Sequence, residues 1–104
     1  MPKYILAYHG GAMPETPEDG AKVMEAWNNW YGAIGDKLAD GGAACGKSMT
    51  VNANGSIASN GGANPLSGYT VVNADSHDAA NLIAKGSPVL VAGGSVEVCE
   101  LLDM

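Results

Sequence analysis

Gly68-Tyr69-Thr70-Val71-Val72-Asn73-Ala74-Asp75-Ser76-His77-Asp78 is the stretch that decides the fold. Residues 68–74 are rich in Val, Thr and Tyr, side chains that suit a pleated backbone, and they predict a strand. Asp75-Ser76 then offers an N-cap, and Asp78 places a carboxylate near the positive end of a helix. Ala79, Ala80, Leu82, Ile83 and Ala84 supply the helix body, and Gly86 with Pro88 ends it. Residues 88–92 read as a short irregular turn. The alternating residues 95–101 read as a last strand.

Working back from Gly68, residues 60–65 form a Gly- and Asn-rich loop. Asn54-Gly55 is a hairpin signal, because both residues tolerate positive φ. Residues 43–51 and 56–59 are the arms on either side of it. Asn54-Gly55-Ser56 also fits a glycosylation sequon, but reads as a hairpin tip. Upstream, Thr16-Pro17-Glu18-Asp19 combines a cap, a proline at the first helical position and two acids in the first turn. Val23, Met24, Trp27, Trp30, Tyr31, Ile34 and Leu38 then recur at three- and four-residue steps. This predicts one long amphipathic helix, stopped by Gly41-Gly42. Residues 3–9 are apolar on both faces and predict a buried central strand ended by Gly10-Gly11.

The order β-α-β-hairpin-β-α-β within a single domain, residues 1–104, predicts a ferredoxin-like α+β fold: a four-stranded antiparallel sheet with both helices on one face. Strand side chains alternate, so Ile5, Ala7, Tyr69 and Val71 cannot all lie under the helices. The opposite face is expected to be covered by a second copy of the chain, giving a homodimer.

Hydrophobic residues are 46% and charged residues 15% of the 104 positions, which excludes a disordered chain. Acids outnumber bases 11 to 5, arginine is absent, and the net charge is −6. That balance argues against a nucleic-acid partner, which is held by clustered Lys and Arg. It also removes the bidentate fork with which Arg grips phosphates and carboxylates. The opening Met1-Pro2-Lys3-Tyr4-Ile5-Leu6-Ala7-Tyr8 lacks the features of an export signal. The longest apolar run, residues 88–92, is too short for a bilayer. The expectations are a cytoplasmic protein with no membrane partner, in which Cys45 and Cys99 are reduced thiols.

Gly68-Tyr69-Thr70-Val71-Val72, the helix start from Ala74 to Ala80, Pro88 and Gly93-Gly94-Ser95-Val96-Glu97-Val98 resemble the YCII-related family. The Lys3-Tyr4 strand and the Asn-Gly hairpin fit as well, so the likeness spans essentially the whole chain. It implies a dimeric α+β barrel, two ferredoxin-like sheets face to face with clefts between them, acting on or binding small molecules. Two features of that family are missing. Residues 60–66 do not carry the Asp-Gly-Pro-Phe motif of one branch. The first helix has no histidine, so the His–Asp chemistry of another branch does not transfer.

Gly41-Gly42-Ala43-Ala44-Cys45-Gly46-Lys47-Ser48 matches the G-x-x-x-x-G-K-[ST] phosphate-loop pattern letter for letter. Such a loop needs a strand before it and a helix after it, so that helix-end amides meet the phosphates. Here the order reads inverted, with a helix before and strand-like Ser48-Met49-Thr50-Val51 after. The stretch therefore reads as a helix-ending glycine pair and a turn.

The catalytic candidates are His9 and Glu97. His9 ends a strand beside two glycines, and imidazole titrates near neutrality. If Val96 and Val98 face the helices, Ser95, Glu97 and Cys99 face the other side. A partner covering that side would desolvate Glu97 and suit it to proton transfer. The structural alternatives are a hydrogen-bonded strand-end histidine and a cross-dimer or solvated glutamate. Tyr8, Trp30, Tyr69 and Ser95 are the ligand-binding candidates, with Trp30 on the flank of its helix. Trp27, Tyr31 and Ile34 read as core, and His77 as surface. Two histidines with no HxxH or HxH spacing argue against a metal site, and no cofactor is implied. The expected function is that of a small-molecule enzyme or ligand binder, with an apolar or aromatic ligand in the cleft between the sheets of a homodimer. The other class is a non-catalytic dimeric module that senses a metabolite or supports another protein.

Overall fold

Burial alternates along β1 (Lys3–His9): Tyr4, Leu6 and Tyr8 are buried, whereas Ile5, Ala7 and His9 are half-covered. The computed structural model that shows this describes residues 1–11 and 14–102. β1 is central, pairing antiparallel with β5 (Leu66–Asn73) on one side and β6 (Ser95–Leu101) on the other. β2 (Leu38–Ala44) extends the sheet beyond β5, giving the order β2-β5-β1-β6. Two helices, α1 (Pro17–Ile34) and α2 (His77–Ala84), cover one face. Their Trp30, Ala80 and Ala84 join Tyr4, Leu6, Tyr8, Val72, Ala74 and Val89 in one core. The fold is α+β with an antiparallel four-stranded sheet, compatible with the ferredoxin-like plan.

Both helices start where the sequence places them. Thr16 Oγ1 accepts the Asp19 N–H at 3.1 Å, and Pro17 is the first helical residue. Ser76 Oγ accepts the Ala79 N–H at 3.1 Å. Each side chain satisfies an amide that the first turn leaves without a partner.

The end of α1 differs from the expectation. The helix stops at Gly35, whose φ of 56° leaves the helical basin, and one 3-10 turn (Gly35–Lys37) follows. Leu38 therefore belongs to β2, opposite Val72, and not to the helix. The apolar period passed through Leu38 because one face of a strand also points inward. Gly41-Gly42 terminates nothing; it sits inside β2, where the register with β5 slips between Asp40 and Ala43. Gly42 has a φ of 70° and lies against the Tyr69 backbone, which leaves no room for a Cβ. The predicted helical stripe is also only half used. Trp27, Trp30, Tyr31 and Ile34 pack on the core, while Val23 and Met24 are exposed.

The phosphate-loop pattern falls on the end of β2 and the irregular residues 45–49. A strand precedes it, contrary to expectation, but no helix follows, so no helix-end amides face the loop.

β3 (Thr50–Val51) and β4 (Ile57–Ala58) form a separate two-stranded hairpin. Asn54-Gly55 turns it as predicted, with Gly55 at a φ of 87° and the Asn54 side chain accepting the Ser56 N–H at 3.0 Å. The molecule is broad and thin, 43 × 42 × 18 Å. Its radius of gyration is 14.9 Å, against about 13 Å for a compact domain of this length. Its accessible surface is 6920 Å², against about 5,400 Å² for a compact monomer of this mass. No helix among the described residues is long and apolar enough to cross a membrane.

Candidate functional site

The sheet face away from the helices is laid out in rows by strand register. Asn73, Lys3 and Leu101 form one end, followed by Val71, Ile5 and Cys99, then Tyr69, Ala7 and Glu97. His9 ends the series, opposite Leu66 on β5 and Ser95 on β6. The middle rows are mostly apolar, and the polar groups gather toward the ends. Ile5, Ala7, Tyr69 and Val71 lie together on this face, half-covered, as strand alternation requires.

His9 and Glu97 meet at the His9 end of this face. Glu97 Oε1 lies 3.1 Å from His9 Nε2, and the Asn64 carbonyl lies 2.9 Å from His9 Nδ1. The carbonyl can only accept, so Nδ1 carries a proton that it donates to Asn64. Nε2 is then the nitrogen that faces the carboxylate. The His9 side chain is 11% exposed and that of Glu97 66% exposed. The imidazole is thus held from two sides, while the carboxylate remains open to a ligand.

Local backbone features bring the pair together. The β1–β5 register slips between Tyr8 and His9, and Gly10 and Gly11 turn the chain away with positive φ. Gly94 lets β6 approach the end of β1, since a Cβ there would stand 2.7 Å from the His9 carbonyl oxygen. Ser95 follows directly, exposed and opposite His9. Tyr69 shares a row with Glu97, separated from it by Ala7.

Tyr8 and Trp30 lie elsewhere. Both are buried on the helix side of the sheet and do not reach the open face. The Tyr8 hydroxyl donates to Thr70 Oγ1 at 2.7 Å, and Thr70 donates to the Gly41 carbonyl at 3.2 Å. Burial pushes the Tyr8 phenol far above its ordinary value, and the Thr70 hydrogen bond only partly opposes this. Trp30 Nε1–H donates to the Ile83 carbonyl at 3.3 Å and packs edge-on to Trp27, with ring centroids 5.7 Å apart. These two aromatics therefore fasten α1 to the sheet and to α2. His77 is exposed, as expected, but its Nε2 also lies 3.0 Å from the Val98 carbonyl, which ties α2 to β6.

Asn64 and Gly94 are the positioning residues that sequence reasoning missed. One acts through its backbone carbonyl and the other through a missing side chain, so residue type signals neither role. A cleft of about 290 Å³ between α2 and β6 is lined by Ala84, Leu90, Val96 and Val98. Another, of about 500 Å³, is lined by Met1, Asp36, Lys37 and Asn73. Neither touches His9 or Glu97. Cys45 and Cys99 are free and exposed, and no cluster of three His, Cys, Asp or Glu residues is found among the described residues. Compared with protein-family models, curated proteins and solved structures, the chain matches none.

Proposed function

We propose that the protein is a homodimer joined through its open sheet faces. In this reading it binds a small apolar or aromatic molecule in the cleft between them, with His9 and Glu97 as its acid–base pair. The observation that carries the proposal is the His9 ring, oriented at Nδ1 by a carbonyl and facing a solvent-open carboxylate at Nε2. That arrangement suits a proton to be taken from a hydroxyl or acidic C–H by one partner and returned by the other. Tyr69 offers a ring against which an aromatic ligand packs, and the exposed Ser95 hydroxyl offers a hydrogen bond to a ligand oxygen.

The surface supports pairing. The open face has an apolar centre and polar ends, the usual anatomy of an interface. Pairing through it agrees with the resemblance to the YCII-related family. Here the imidazole and carboxylate come from β1 and β6 rather than from the first helix. The second reading, a non-catalytic dimeric module, is favoured by one observation: Glu97 is 66% exposed in a single copy, which leaves it well solvated.

Sedimentation equilibrium at micromolar concentration tests the dimer, and a lone folded protomer refutes it. Titration of phenol into ¹⁵N-labelled protein tests the site. The expected result is saturable amide shifts at Ala7, His9, Tyr69, Ser95 and Glu97, lost in His9→Gln. Shifts confined to the helix side would remove the assignment.

A further inference from the structure

The dipeptide Asn-Gly occurs twice in the chain, at Asn54-Gly55 and at Asn60-Gly61. A glycine leaves its backbone nitrogen unshielded by a side chain, within reach of the preceding asparagine's own side-chain amide. Both asparagines are exposed, and both fold the side chain back over the next peptide. Asn54 Oδ1 accepts the Ser56 N–H at 3.0 Å, and Asn60 Oδ1 accepts the Gly62 N–H at 2.9 Å. Each hydrogen bond closes a small ring that holds the side-chain carbonyl carbon and the intervening glycine nitrogen together. Negative charge developing on Oδ1 would meet an N–H donor already in place.

The two glycine nitrogens differ. The Gly55 N–H donates to the Asn52 carbonyl at 2.9 Å, within the turn that closes the hairpin. Without its proton that nitrogen would face the carbonyl oxygen directly, so the turn must open before the nitrogen attacks. The Ser56 hydroxyl gives Asn54 Oδ1 a second donor at 2.7 Å, but this contact also holds the turn closed. The Gly61 N–H has no acceptor among the described residues. Packing keeps residue 61 a glycine, since an added Cβ would lie 2.7 Å from both Pro65 Cβ and Ser48 Cβ.

We propose that Asn60-Gly61 is a site of spontaneous deamidation, and that the same dipeptide at Asn54-Gly55 is protected by its turn. The proposal does not depend on the dimer or on the acid–base reading. The Gly61 nitrogen gives its proton to solvent base and attacks Asn60 Cγ. The N–Cγ bond forms as the Cγ–Nδ2 bond breaks, and the side-chain nitrogen takes a proton from water and leaves as ammonia. Water then opens the five-membered imide at either carbonyl, giving aspartate or isoaspartate. One water is consumed and one ammonia released, with no oxidation or reduction. The product places a carboxylate in residues 48–74, which contain no charged side chain. As isoaspartate it also adds a backbone atom to the loop that carries the Asn64 carbonyl to His9.

The test incubates the folded wild-type chain at mildly alkaline pH. Tandem mass spectrometry then follows the tryptic peptide of residues 48–85, which holds both dipeptides. Asn60 is expected to convert about fivefold faster than Asn54, the factor that corresponds to one net hydrogen bond given up in opening the turn. Isoaspartate is expected among the products. In urea, where neither loop is held, the two rates should be similar. The variant Asn60→Gln cannot close the five-membered ring, and it should abolish conversion at 60 while leaving the Asn54 rate unchanged. Conversion at Asn54 as fast as at Asn60 in the folded chain overturns the proposal, as does an intact Asn60 in folded protein whose urea control converts. Aspartate without any isoaspartate overturns the imide route.

Discussion

Gly41 and Gly42 are adjacent in β2, yet an added methyl group should be costly at one and nearly neutral at the other. At Gly42 the backbone φ is 70°, and an added Cβ would fall 2.6 Å from the Tyr69 carbonyl carbon and closer still to its oxygen. The left-handed conformation alone costs a side chain about 1–3 kcal/mol. Forcing two strands apart adds about 1–3 kcal/mol. Gly42→Ala should therefore destabilise by about 2–6 kcal/mol, a large part of the roughly 5–15 kcal/mol that holds a domain of this size. Gly41 has no positive φ and nothing within 4 Å of an added Cβ. Its carbonyl, which accepts from Tyr31 and Thr70, is untouched by a side chain. Gly41→Ala should change stability by less than about 0.5 kcal/mol. Urea unfolding followed by circular dichroism measures both at one fixed protomer concentration, which keeps any self-association equal between the variants. With a urea slope of about 1–3 kcal/mol per molar, the Gly42 variant should lose on the order of 1 M or more from its midpoint. A Gly42→Ala protein within 1 kcal/mol of wild type, or a Gly41→Ala protein equally damaged, would refute the bulge geometry.

Two further outcomes follow from the side-chain network. Tyr8 stays neutral in the folded chain at pH values where an unfolded tyrosine ionises, near 10. The unfolded chain then releases a proton that the folded chain keeps. The effect of this group is absent below about pH 10 and lowers stability above it, by at most about 1.4 kcal/mol per pH unit. Tyr8→Phe should flatten that alkaline loss, read as urea midpoints near pH 8 and near pH 11, and an unchanged slope would contradict the burial argument. For the candidate pair, a double-mutant cycle with His9→Gln and Glu97→Gln should give a coupling of about 0.2–1 kcal/mol in stability. The coupling should shrink with added salt, and a value of zero at low ionic strength would mean that the two side chains are not held together.

Capping, the hairpin turn and the strands flanking α2 were legible because they depend on which residue types stand at which spacing, whereas the strand read over residues 43–51 runs instead over Leu38–Ala44, with residues 45–49 irregular. Thr16, Ser76, Asn54-Gly55 and the alternation from Ser95 to Leu101 each act through their own chemistry, and the structure uses each as read. The helix-to-strand switch near Leu38 was not legible. A glycine inside a helical pattern and a glycine that ends a helix look alike until the Gly35 φ is known, and Leu38 satisfies both periods. The site divided in the same way. His9 and Glu97 could be nominated by type and face, but their meeting depends on the close approach at Gly94 and the carbonyl of Asn64. Tyr8 and Trp30 were nominated as aromatics able to contact a ligand. The alternation that puts Ala7 and His9 on the open face turns Tyr8 to the other side, and the Trp30 indole finds its acceptor on α2.

The placement of His9 and Glu97 on the open face follows from the same alternation. A sheet covered by helices on one face must leave every second side chain on the other, and here that set includes the apolar middle rows, the imidazole and the carboxylate. In a single copy the two partners are unequally placed, the imidazole held and nearly covered, the carboxylate largely in water. Water around the carboxylate screens its interaction with the ring. If the proposed second copy covers the face, it would remove that water and enclose the Tyr69–Ala7–Glu97 row as one wall of a cleft. Association and chemistry are thus expected to depend on the same surface. A substitution that weakens the dimer should weaken phenol binding at His9 even when it touches neither His9 nor Glu97. Val71→Lys, on the neighbouring row, separates the two effects: dilution of wild-type protein below its dissociation constant should reproduce the loss of binding that this variant shows at high concentration.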